Sequence, residues 1–248
     1  MTQARDGGSA GGDGARRRPH TAALLWAPER RSWWIAVLFA AGSACFLVAP
    51  LRVFLDAVGP QVDGAVFFVG SLLFTSAATL QWLQTINPDP PPGPPGRRPR
   101  QGRPRQRRLT WEPHRGDWWS SAVQLLGTLF FNISTFRALR TALGSPSYDQ
   151  LVWRPDAFGS VCFLVSGIVA YAIVAGGLLR RTPHTLDGAV AAVNLAGCVA
   201  FGVSAVAAYV VPTTGSAVNV AVVNAATSLG ALGFLVGAVL LLPLGARA

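Results

Sequence analysis

The sequence predicts an all-α integral membrane protein with six transmembrane helices arranged as three tandem hairpins. Three observations predict it. Charge is sparse: 13% of the 248 residues are charged and 51% are hydrophobic, against roughly 25% charged in soluble domains. Charge is also segregated, with no Asp, Glu, Lys or Arg at 32–51, 64–88, 118–136, 157–179 or 188–246. Finally, one short framework returns along the chain: Gly, a small residue, two spacers and Phe.

A bilayer core about 30 Å thick takes about 20 residues at a helical rise of about 1.5 Å each. The first four charge-free runs fit one span apiece. The fifth is long enough for two, and "VPTTG" (211–215) supplies a turn between them, since Pro and Gly punctuate helices. The expected spans are therefore 33–54, 65–86, 118–138, 157–179, 188–211 and 217–243. They pair as hairpins over 33–86, 118–179 and 188–243.

Two segments read as disordered. Residues 1–32 form a tail rich in Gly and Arg. Residues 87–117 form a Pro/Arg-rich loop opening with "NPDPPPGPPGRRPRQGRPRQRRLT". Proline removes backbone donors, and little apolar surface offsets the entropy of ordering. Residues 180–187 make a short loop, and 244–248 the C-terminus.

Six spans place both termini on one side, and the distribution of Arg chooses it. All 21 basic residues are Arg. Seventeen fall in the tail, the 87–117 loop, the 180–187 loop and the C-terminus; the four others are Arg52, Arg137, Arg140 and Arg154. Positive loops stay inside, so the expected location is the cell membrane, multi-pass, with both termini cytoplasmic. Asp56, Asp63, Asp149 and Asp156 balance the four outer Arg. The tryptophans agree, with Trp26, Trp33, Trp34, Trp82, Trp111, Trp118 and Trp119 near the inner interface and Trp153 near the outer one. A twin-arginine export signal ending at Cys45 is the rival reading of 30–45. It fails because the apolar run continues past Cys45, and because "WWSSAVQLLGTLFF" (118–131) repeats the pattern in mid-chain.

The framework occurs as "GSACF" (42–46), "GSLLF" (70–74), "GTLFF" (127–131), "GSVCF" (159–163), "GCVAF" (197–201) and "GALGF" (230–234). With 27 Gly and 13 Phe, random placement gives about one Gly-x-x-x-Phe pair; seven occur, including Gly64–Phe68. Trp33 aligns with Trp118 at an offset that also carries Gly42 onto Gly127 and Phe46 onto Phe131. Residues i and i+4 share a helix face. Gly42, Gly70, Gly127, Gly159, Gly197 and Gly230 are therefore the expected helix-packing slots, each with a Phe knob one turn on.

"LFAAGSACFL" (38–47) followed by "FFVGSLLF" (67–74) resembles the YrhK-like domain, a small bacterial membrane hairpin with paired GS motifs. The likeness covers 33–86 and echoes at 118–179. The last hairpin departs from it, with Cys198 and Ala231 where the others have Ser or Thr. The resemblance implies an integral membrane protein without an established activity, and brings no catalytic residues.

The residues themselves argue against an enzyme. No phosphate loop, HExxH or GxSxG is present. His20, His114 and His184 lie in loops, and Cys45, Cys162 and Cys198 have no ligand-spaced partner, so no catalytic, cofactor or metal site is expected. No ionisable residue lies deep in a span, which disfavours a proton-coupled carrier. The best polar candidate is the stripe Gln124, Thr128, Asn132 and Thr135 on the third helix. It either cements helices or lines a path.

Arg97, Arg98, Arg100, Arg103, Arg105, Arg107 and Arg108 form the expected lipid-contact cluster, each worth about 1 kcal/mol near an anionic surface. Nucleic acid is disfavoured because residues 89–110 carry no aromatic side chain for base stacking. Small-faced helices leave room for a homo-oligomer. Two functions follow: a structural or regulatory membrane protein whose basic segments contact anionic lipid or an acidic partner, or a channel or carrier for a small uncharged solute using the third-helix stripe.

Overall fold

The computed structural model describes residues 26–88, 107, 109–211 and 213–247. The fold is all-α apart from one small hairpin. Helix α1 (Arg31–Val48) is followed by a short α2 (Arg52–Val58) and a long α3 (Pro60–Ile86). Then come α4 (Gly116–Ala138), a single π-helical turn (Asp149–Trp153) running into α5 (Arg154–Ala175), α6 (Leu186–Ala207) and α7 (Val220–Arg247). Between α6 and α7, β1 (Val210–Val211) pairs antiparallel with β2 (Ser216–Ala217).

The helix ends correct the expected boundaries, for local reasons. The first span was expected to reach residue 54. It stops at Val48 because Pro50 cannot donate to a continuing helix, and 52–58 becomes a separate helix. Gly59 at φ +79° then turns the chain, and Pro60 opens α3 at its first position. Helix α5 ends at Ala175 rather than 179. Gly176 is left-handed at φ +68°, and the Gly177 N–H closes onto the Ala172 carbonyl at 2.9 Å. Helix α6 ends at Ala207 rather than 211, where the strand pair takes over. Thr185 caps α6 by accepting from the Gly188 N–H at 3.1 Å, and Asn219 caps α7 by accepting from the Val222 N–H at 3.1 Å.

Among the described residues, five helical stretches are long and apolar enough to cross a membrane: Arg31–Val48, Pro60–Ile86, Asp149–Ala175, Leu186–Ala207 and Val220–Leu242. Helix α4 is as long but more polar. Each long helix packs on two neighbours, in the order α1, α3, α4, α5, α6, α7, and α7 packs back on α1. The six therefore close a ring. Its interior holds a core of phenylalanine and small residues, including Phe46, Phe74, Phe131, Phe163, Phe201 and Phe234. Apolar side chains such as Val69, Leu129, Val161, Val203 and Leu232 stay exposed on the outside, as lipid-facing surfaces require.

Candidate functional site

Glycine decides where the helices meet. A Cβ on Gly42 would lie 2.7 Å from the Phe74 ring and 3.0 Å from the Gly70 carbonyl. A Cβ on Gly70 would lie 2.8 Å from the Cys45 Cβ and 3.1 Å from the Phe46 ring. The same reciprocal contact joins Gly127 to Phe163 (2.8 Å) and Gly159 to Phe131 (3.3 Å). It recurs between Gly197 and Phe234 (3.1 Å) and between Gly230 and Phe201 (3.0 Å). Each Phe stands one turn past its own glycine and covers the glycine of the facing helix, which is why the spacing is four. The residue after each glycine is buried too: Ser43, Ser71, Thr128, Ser160, Cys198 and Ala231. Cys198 and Ala231 thus occupy the same packing position as the serines.

The six rings converge. Phe74, Phe163 and Phe234 form a triangle with centroids 6.3, 5.7 and 5.6 Å apart. Phe201 lies 6.1 Å from both Phe46 and Phe131. The two triads touch through Phe46–Phe74 (5.6 Å), Phe131–Phe163 (5.1 Å) and Phe201–Phe234 (5.8 Å). The sequence reading assigned each Phe to one helix contact. Their meeting in one layer follows from ring closure.

A cavity opens on either side of this layer. Cavity I has a volume of about 1460 Å³ and reaches Phe39, Phe163 and Phe234 at its floor. Its wall carries Gln81, Ser120, Gln124, Ser166 and Asn194. The Ser166 hydroxyl donates to the Ser120 carbonyl at 2.8 Å, and the Asn194 Oδ1 is buried without a hydrogen bond. Its rim carries Arg30, Arg31, Arg107 and Arg115 together with Glu29, Glu112 and Asp187. Arg115 bonds Asp117 and Glu112 and donates to the Thr85 carbonyl at 3.2 Å. The hydrogen bonds to Asp117 and then Glu112 raise its pKa.

Cavity II, about 510 Å³, has Phe46, Phe131 and Phe201 at its floor. Asp63 and Asp156 line it, with Tyr148 and Trp153. The Asp63 Oδ1 is shielded from solvent and accepts no hydrogen bond. Burial, and next the Asp156 charge, raise the pKa of the Tyr148 hydroxyl. Charge balance predicted four acids against four Arg on this side, and the structure divides them. Arg52 pairs with Asp56 at 3.2 Å and Arg154 with Asp149 at 2.8 Å, all outside the cavity. Arg140 sits over the Phe136 ring, 5.1 Å from its centroid, and Arg137 is exposed. Asp63 and Asp156 have no Arg partner among the described residues.

The third-helix stripe, now on α4, turns mostly toward α3. The Asn132 Nδ2 donates to the Thr75 hydroxyl at 2.9 Å, and the Thr75 hydroxyl in turn reaches the Thr128 carbonyl at 3.4 Å. Thr135 and Ser71 share a hydrogen bond at 2.9 Å. Thr128 is fully buried and bonds its own helix at the Leu125 carbonyl, 2.7 Å away. Only the ends of the stripe reach open space: Gln124 lines cavity I and Thr135 lines cavity II. Of the lipid-contact cluster, Arg97, Arg98, Arg100, Arg103, Arg105 and Arg108 lie outside the described residues, as does most of the 1–32 tail. Arg107 is exposed, and its backbone is clamped by Asn87 through bonds of 2.7 and 2.8 Å. His114 and His184 are exposed.

One signal was legible and missed. "WAPERRSWW" (26–34) and "WEPHRGDWW" (111–119) share the pattern W-x-P-x-R-x-x-W-W. Trp34 donates to the Pro28 carbonyl and Trp119 to the Pro113 carbonyl, both at 2.9 Å. Trp26 meets Trp33 at 5.1 Å, and Trp111 meets Trp118 at 5.0 Å. Each copy folds the chain over the rim of cavity I just before a helix. Comparison of the chain with family models, with curated proteins and with solved structures finds no match.

Proposed function

We propose that this chain is a six-span protein of the cell membrane whose helix ring encloses a gated passage for a small polar solute. The carrying observation is the pair of cavities that face each other across a single layer of six phenylalanines. In this reading the spans form three tandem hairpins, and the YrhK-like resemblance of the first hairpin extends to an ancestral unit used three times. Helix α4 crosses as the sixth span. Its polar face is turned toward α3, where Thr75 and Ser71 receive it, so its polarity does not meet lipid. Both termini, the 87–117 loop and cavity I are cytoplasmic by the distribution of Arg, and cavity II faces outward. The Arg-rich loop holds to anionic headgroups.

The phenylalanine layer acts as a hydrophobic gate, closing the path by excluding water. The wall of cavity I supports this reading, since its amides offer hydrogen bonds to a polar solute directly above the layer. The purely structural or regulatory reading gives no role to two cavities that are both lined by the central phenylalanines.

Reconstitution tests the proposal. Liposomes carrying Phe74→Ala/Phe163→Ala/Phe234→Ala should shrink and reswell with urea or glycerol faster than liposomes carrying the unaltered chain. If a monodisperse triple variant leaves permeability at that of empty liposomes, the passage does not exist.

A further inference from the structure

We infer that cavity II is a binding site for a small organic cation, an ammonium group carried on a hydrocarbon body. The inference rests on the passage reading, in which cavity II is the outer vestibule, and it names the class of solute admitted there.

Size and lining argue together. About 510 Å³ lies within the range of small-molecule sites, roughly 300–1000 Å³, which are mostly apolar with a few placed polar groups. Here the apolar part is aromatic: Phe46, Phe67, Phe131 and Phe201, with Tyr148 and Trp153 at the side. Ring faces attract cations, and alkylated ammonium groups above all. The polar part is acidic. Asp63 comes from the first turn of α3 and Asp156 from the first turn of α5, so two separate helices bring carboxylates to one chamber. No Arg lines it.

The serine and threonine hydroxyls on the wall are already engaged. Ser134 donates to the Val152 carbonyl at 2.9 Å, Thr135 to the Phe131 carbonyl at 2.7 Å, and Ser204 pairs with Thr227 at 2.7 Å. The carboxylates are different. The buried Asp63 Oδ1 accepts nothing, and Asp156, whose charge acts on the Tyr148 hydroxyl, has no Arg partner among the described residues. Acceptors left open in an aromatic chamber suit a ligand that brings its own donors and a positive charge. A bare metal ion would need a tight oxygen cage, whereas this chamber is wide and mostly carbon.

Calorimetry on the full chain in a neutral detergent decides it, with benzylammonium as probe and benzyl alcohol as its uncharged counterpart. Benzylammonium should bind at one site per chain, at least about tenfold tighter than the alcohol. Asp63→Asn and Asp156→Asn should each lose about tenfold or more in affinity for the ammonium and leave the alcohol unchanged, because each removes one carboxyl partner of the ammonium group. Asp56→Asn, an exposed acid outside the cavity, should keep full affinity. Equal binding of the two probes by the unaltered chain overturns the inference even if a variant fails to fold, and so does undiminished ammonium binding in both cavity variants. The liposome assay is separate: binding without flux sinks the passage and keeps the site, while flux without binding sinks the site and keeps the passage.

Discussion

Phe131 and Phe163 meet with ring centroids 5.1 Å apart and planes tilted by 58°, and each covers the glycine that precedes the other. Gly127 lies under Phe163 and Gly159 under Phe131, so one contact sets both the helix separation and the place of two rings in the central layer. The approach is close enough that a Cβ on either glycine would come within 3.1 Å of the opposite glycine's carbonyl oxygen. Backbones at that range leave no volume for a larger residue.

Gly127→Leu should therefore lower the melting temperature in detergent clearly, with a cost of about 1–3 kcal/mol or more from overpacking. The control is Gly202→Leu, because a Cβ at Gly202 meets nothing within 4 Å. Gly116, which reads in the sequence as a loop residue, is not neutral. It opens α4, and a Cβ there would lie 3.0 Å from Ile173. Gly202→Ala should even stabilise slightly, by up to about 1 kcal/mol of helix propensity. Melting of Gly127→Leu within error of the unaltered protein would remove the packing role of the repeat.

The bond from Asn132 to Thr75 ties α4 to α3. A double-mutant cycle with Asn132→Leu and Thr75→Val should give a coupling of about 0.6–2 kcal/mol, the range for hydrogen bonds between membrane helices. Zero coupling, measured by denaturation in micelles, would mean that the polar face of α4 does not hold the two helices together.

Topology is open to cysteine labelling. In a background where Cys45, Cys162 and Cys198 are replaced, an impermeant thiol reagent applied to intact cells should modify Ser147→Cys and spare Gln101→Cys. The reverse pattern would invert the threading.

A peptide covering 95–108 carries seven Arg and no acid. It should bind anionic vesicles and release as salt rises, since screening shortens to about 3 Å at 1 M. Equal affinity for neutral vesicles would remove lipid charge as the partner of this loop.

The sequence by itself determined the helical class, the spacing of the glycine slots and the segregation of charge. These are properties of single helices: charge-free length, a four-residue period on one face, and proline or glycine at the ends. Several element boundaries were local matters as well, such as Gly176 ending α5 and Pro50 ending α1. Tertiary structure alone decided which glycine faces which phenylalanine, because pairing depends on how helices distant in the chain approach. It also decided that six rings share one layer, since that requires α7 to return to α1. The same closure separated the acids. Asp56 and Asp149 found exposed Arg partners, while Asp63 and Asp156 were turned into the ring, away from every Arg on that side. Nothing in the linear spacing of four aspartates distinguishes the two pairs. The direction each side chain takes is set by helix rotation, and helix rotation is set by the glycine contacts across the ring.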